Sequence, residues 1–137
     1  MTTPLSAFTG AAIYLDTMLP YMLLRGIDST IKHFFERIER GDLSAYTSIL
    51  TFDELAYRLL LASVKDRYKG SPLDRLRSEE DKMMAEFAGP VAALLRRLRD
   101  LSHLVVLDVL ASDLEVLNEA MVKHHLRPRD ALHLAAM

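Results

Sequence analysis

Two kinds of pattern alternate along the chain. Ala11–Asp16 is a short apolar run closed by a charge, as in a strand buried on both faces, and His103–Leu107 and Ser44–Ser48 are further segments of strand length. Between them the spacing is helical. A short helix over Leu19–Leu24 stops at Gly26. Asp28 or Ser29 caps the next, which carries Ile31, Phe34, Phe35 and Ile38 on one face and closes at Gly41. From Phe52 the stripe Leu55, Leu59 and Ala62 continues to about Tyr68 and breaks at Gly70-Ser71-Pro72. A polar helix follows through Ser78–Phe87, then a break at Gly89-Pro90, then Val91–Leu101 with Leu94, Leu95 and Leu98. Ser112-Asp113-Leu114-Glu115 reads as a capping box for a helix with Leu114, Leu117 and Met121 on one face, and Pro128 suits the first turn of a last helix. The predicted order is β-α-α-β-α-α-α-β-α-α. It implies an α/β fold, with a parallel sheet and helices on both faces. Residues 1–10, which carry Thr, Ser, Pro and Gly, read as a loose lead-in to one domain over 11–137.

The composition narrows the function classes. A chain of 137 residues, half of them hydrophobic, suits one domain with a real core. A net charge of −2 argues against coating nucleic acid by bulk charge alone. The absence of cysteine excludes disulfides, thiol catalysis and zinc–thiolate sites, and fits a reducing cytosol. Apolar stretches such as Leu59–Ala62 are too short to span a bilayer, and Met1-Thr2-Thr3-Pro4-Leu5 lacks the basic start and apolar core of a signal peptide. The expectation is a soluble, cytoplasmic protein without a membrane.

Three acids stand at element junctions in separate segments. Asp16 ends the first strand, Glu54 opens the helical pattern after Thr51-Phe52-Asp53, and Asp130 falls in the turn opened by Pro128. Each has a plain reading by itself. Asp16 can cap the helix near Leu19, Glu54 completes a Thr51-x-x-Glu54 capping box, and Asp130 complements the positive end of a helix. Taken together, they occupy the rim of a parallel sheet where ligands gather, and three carboxylates tolerate one another best around a divalent cation. Thr17 can offer a hydroxyl to a metal-bound water. His133, one turn after Asp130, could hold an acid or a phosphate, although a buried histidine bonded to a carbonyl is the commoner case. Arg58, Lys65, Arg67, Lys69, Arg75 and Arg77, followed by Arg96, Arg97 and Arg99, could track a phosphate backbone or form a solvated face, and Tyr57 and Tyr68 could stack bases.

Tyr14-Leu15-Asp16-Thr17, the segment Thr47 to Leu55 and Leu126-Arg127-Pro128-Arg129-Asp130-Ala131-Leu132-His133-Leu134-Ala135 resemble the PIN domain, most closely the toxin ribonucleases of the VapC type. The last segment is the most specific of the three. The resemblance implies a Rossmann-like three-layer α/β/α fold and an endoribonuclease that uses Mg²⁺ or Mn²⁺. It carries the family acids onto Asp16, Glu54 and Asp130, and the small hydroxyl residue onto Thr17. It also implies an RNA substrate, an antitoxin partner and a homodimer. The sequence departs from the family pattern at Met18, where Asn is common, and at its end, where a strand with a fourth acid has no counterpart. The apolar Leu132, Leu134 and Ala135 then lack cover, so dimerisation through that surface, or marginal stability, is expected. The competing expectation is an inactive PIN-like interaction module, and a third is a metal-independent domain whose acids are only caps.

Overall fold

The computed structural model describes residues 12–136. The predicted lead-in, 1–10, and the start of the first strand at Ala11 lie outside the described residues. The described elements are β1 (Ala12–Tyr14), α1 (Met18–Arg25), α2 (Ser29–Glu39), β2 (Ser44–Ser48), α3 (Ile49–Arg67), α4 (Pro72–Ser78), α5 (Glu80–Arg99), β3 (Leu104–Leu107), α6 (Asp113–His124) and α7 (Pro128–Ala136). This is the predicted order. The strands form a parallel sheet in the order β1-β2-β3. Ala12 pairs with Ser44 and Tyr14 with Tyr46, while Tyr46 pairs with Val105 and Ser48 with Leu107.

Strand alternation sorts the sheet into two faces. Leu15, Ala45 and the half-buried Ile13 and Leu104 join one core with Ile31, Phe34, Phe35 and Ile38 of α2, Leu55 and Leu59 of α3, and Val91 and Leu98 of α5. Parallel neighbours joined by right-handed crossovers place their connecting helices on one face, which is where this core lies. On the other face Tyr14, Tyr46 and Val105 follow one another across the register. Tyr46 and Val105 reach solvent there, while Tyr14 is covered by α7 through its contact with His133.

Local chemistry explains the helix bounds. Asp28 caps α2 by accepting from the Thr30 N–H at 2.8 Å, as predicted. Gly26 (φ 65°) ends α1 in the left-handed region, as its position suggested. Gly41 (φ 86°) donates to the Ile38 carbonyl at 3.0 Å and turns the chain into β2. The positive φ favours glycine there, and a Cβ on Gly41 would stand 3.1 Å from the His103 ring and push it aside.

Three boundaries differ from those predicted. Helix α3 begins at Ile49, not near Phe52, with Ser48 before it and no side-chain cap bond. The Thr51–Glu54 capping box is therefore absent. Thr51 is fully buried inside the helix, and its hydroxyl turns to the Leu15 carbonyl. Helix α5 runs unbroken through Gly89-Pro90, and the separate helix between α3 and α5 is Pro72–Ser78, capped by Ser71. Pro90 and Gly89 are exposed, while Met83, Phe87, Val91 and Leu98 are buried around them. The continuous apolar stripe outweighs the one backbone bond that proline removes. Ser112 precedes α6 without a cap bond; Asp113 instead accepts from the Leu110 N–H at 2.8 Å. In α6 only Ala120 is buried, and Leu114 and Met121 of its predicted apolar face are exposed.

Candidate active site

The site is built on the end of β1. The Leu15 N–H donates to the Tyr46 carbonyl at 2.7 Å, and the Leu15 carbonyl accepts from the buried hydroxyls of Thr47 at 2.8 Å and Thr51 at 3.4 Å. Leu15 is thereby fixed in the core, which turns Asp16 to solvent and Thr17 back inside. The Asp16 carboxylate accepts from the Met18 N–H at 3.2 Å, from the position before Thr17, which occupies the N-cap of α1.

Thr17, which is 5% exposed, donates its hydroxyl to Oε2 of Glu54. Glu54 sits in the second turn of α3, one turn further in than predicted. Its Oε1 lies 3.0 Å from Nε2 of His133 on α7. The other ring nitrogen, Nδ1, is 2.8 Å from the Tyr14 hydroxyl, and Tyr14 donates to Ser48 Oγ at 2.9 Å. The Tyr14 and His133 rings meet edge to face at 6.0 Å. The side chains of His133 and Glu54 are only 12% and 21% exposed, so solvent screens this contact less than a surface pair.

Asp130 stands in the first turn of α7 and is exposed. With Asp53, Glu54, Tyr57, Arg58 and Arg127 it lines an open groove of about 610 Å³. The structure thus joins Thr17 directly to Glu54 and gives Glu54 and Asp130 a common groove, while Asp16 flanks Thr17 along the chain. Among the described residues, no three His, Asp or Glu side chains gather closely enough to enclose an ion. The donor set itself is of hard oxygens, with no sulfur, and suits a magnesium-like cation in kind.

Two members of the network escaped sequence reasoning. Tyr14 shares strand alternation with Asp16, and Ser48 is fully buried where β2 meets α3. His133, one turn after Asp130, holds an acid, Glu54, and not a carbonyl, with Tyr14 on its other ring nitrogen. The second aromatic proposed for base stacking is committed elsewhere. Tyr68 donates to Glu86, packs edge-on against Phe87 and carries Arg75 4.7 Å above its ring. The bond to Glu86 raises the Tyr68 hydroxyl above the usual phenol range. Several basic residues are also paired, Arg67 with Glu86 at 3.0 Å and Arg75 with Glu79 at 2.8 Å.

Residues 13–137 match the family model of the PIN domain, a span that contains every acid and every hydrogen-bonding partner described above. The chain belongs to the PIN domain family. Its α/β order and three-stranded parallel sheet agree with the Rossmann-like PIN fold. PIN domains are generally nucleases that bind RNA and typically use divalent metal ions. Comparison with curated proteins and with solved structures gave no match. No helix among the described residues of this PIN domain is long and apolar enough to cross a membrane.

Proposed function

We propose that this PIN domain is a Mg²⁺- or Mn²⁺-dependent endoribonuclease that acts in the cytoplasm as the toxin of a toxin–antitoxin pair, as a homodimer. The observation that carries the nuclease reading is the Thr17–Glu54 bond together with the groove shared by Glu54 and Asp130. It brings three acid-bearing segments, distant in sequence, to the carboxyl ends of neighbouring parallel strands, where α/β sheets bind ligands.

Asp16, Glu54 and Asp130 would hold the cation. A bound divalent ion supplies Lewis acidity and a water activated for attack on phosphorus. The chain's own groups do the rest. Thr17, held by its bond to Glu54, still has oxygen lone pairs with which to accept from a water and orient it. Arg58 and Arg127 border the acids in the groove and can hold the phosphates beside the scissile one. The exposed ring of Tyr57 offers a face for a base.

The test is RNA cleavage with Mn²⁺ by the parent, Asp16→Asn and Asp130→Asn, alongside melting temperature against Mn²⁺. The parent should cleave and gain stability with Mn²⁺, by about 2.7 kcal/mol when the ion is at 100 times its Kd. Both variants should lose cleavage and stay folded, because removing one of several like charges relieves repulsion. A variant that cleaves as fast as the parent rejects the assignment of that acid. The interaction-module reading is favoured by the exposed apolar residues of and before α6, Leu110, Leu114 and Val122. It expects a folded parent that neither cleaves nor responds to Mn²⁺.

A further inference from the structure

Each acid-bearing segment gives a member to one hydrogen-bonded chain: Thr17, Glu54, His133, Tyr14, Ser48. Thr17 and Tyr14 flank Asp16, Glu54 is itself an acid, and His133 lies one helical turn from Asp130. The chain crosses from the start of α1 to α3 to α7 and returns to β1 and the end of β2. Tyr14 and His133 are separated by 119 positions in sequence, so this contact is a tertiary tie. His133 and Tyr14 are not among the groove's lining residues, and His133 is 12% exposed and Tyr14 half-buried.

We propose that His133 and Tyr14 are positioning residues that orient the Glu54 carboxylate and seat α7, with Asp130, against the end of β1. The inference rests on the nuclease reading above. Both Glu54 oxygens accept within the chain, Oε2 from Thr17 and Oε1 from His133. A carboxylate has about four lone-pair sites, so two such bonds fix its orientation without by themselves exhausting it. The Tyr14 hydroxyl holds the far edge of the imidazole, so the ring cannot turn away from Glu54. Outer partners of this kind set ligand geometry in metal sites.

The experiment measures Mn²⁺ affinity of the full chain calorimetrically, with metal-free melting alongside, for the parent, His133→Phe, His133→Gln and Tyr14→Phe. His133→Phe keeps a ring of similar volume and removes both bonds; it should weaken Mn²⁺ binding about 10- to 100-fold, the usual loss for an outer partner. His133→Gln restores an N–H donor where Nε2 stood and should recover most of that affinity. Tyr14→Phe should give a smaller loss. A merely structural role would lower the melting temperature in all three variants and leave the Mn²⁺ affinity of the folded fraction unchanged. Parent-like affinity in His133→Phe overturns the positioning role alone, and so does a His133→Gln variant no tighter than His133→Phe. If His133→Phe does not fold, the judgement falls on Tyr14→Phe: parent-like affinity there overturns it. A folded parent that takes up no Mn²⁺ overturns the nuclease reading and this inference with it.

Discussion

Single side chains decide what Tyr68 and Glu54 can do. Both look available in the sequence, and both are committed in the fold. Tyr68 stands between Glu86, Arg75 and Phe87, so it fastens the segment before α4 to α5 and does not face the groove. This contact predicts a pH effect of definite sign. The hydrogen bond to Glu86, with smaller contributions from burial and from that carboxylate's charge, raises the Tyr68 hydroxyl above its ordinary value of 10.0. A group raised on folding contributes stability fully below its unfolded value and loses it as pH rises through the folded one. Alkaline unfolding should therefore show a loss of stability above pH 10.0 that Tyr68→Phe abolishes. Ultraviolet titration of phenolate should lose a tyrosine that ionises above pH 10.0 in that variant. An unchanged titration would place the raised hydroxyl elsewhere.

Elements were legible where one physical term dominated. The helix α2 was readable because cap, apolar stripe and closing glycine agree, and all four stripe residues are buried. The site acids were readable as positions, since each stands at an element end, but not as contacts. Nothing local in Thr51-Phe52-Asp53-Glu54 shows that the helix already begins at Ile49, or that the Thr51 hydroxyl turns to the Leu15 carbonyl in a segment distant in sequence. The Gly89-Pro90 break failed for a related reason. Proline costs roughly 3 kcal/mol in a helix interior, yet α5 buries Met83 and Phe87 before it and Val91 and Leu98 after it. Each such side chain contributes about 1.5–3 kcal/mol on burial, enough to carry the helix across the defect. Since Pro90 is exposed, Pro90→Ala should restore a backbone donor at no packing loss. The expected gain is about 1–3 kcal/mol, read from denaturant midpoints at unchanged slope. A less stable variant would mean that the fixed φ of Pro90 contributes more to α5 than the backbone bond it removes.

At the scale of the whole molecule, charge must act locally. The chain carries a net charge of −2, so RNA is not drawn to it by bulk charge. The basic residues read as one run from Arg58 to Arg77 are dispersed by the fold. Arg67 and Arg75 are paired with Glu86 and Glu79, whereas Arg58 lines the acidic groove with Arg127, which lies outside that run. The topology explains the gathering. The connections β1 to β2 and β2 to β3 stack their helices on one face, and α7 then returns to Tyr14 on the other. Arg127 and Asp130 on that returning segment thereby meet Arg58 and Glu54 of α3 at the end of the sheet. If the groove is the RNA path, its arginines must account for the salt dependence of binding. In an Asp130→Asn background that leaves RNA uncut, log affinity should fall linearly with log salt. Removing one phosphate contact from a single strand should lower that slope by about 0.7. Arg58→Ala should show this loss together with weaker binding across RNA sequences, while Arg77→Ala, exposed and outside the groove, should match the background. Equal slopes for the two variants would remove the groove as the path of the RNA backbone, even if cleavage still required Asp16 and Asp130.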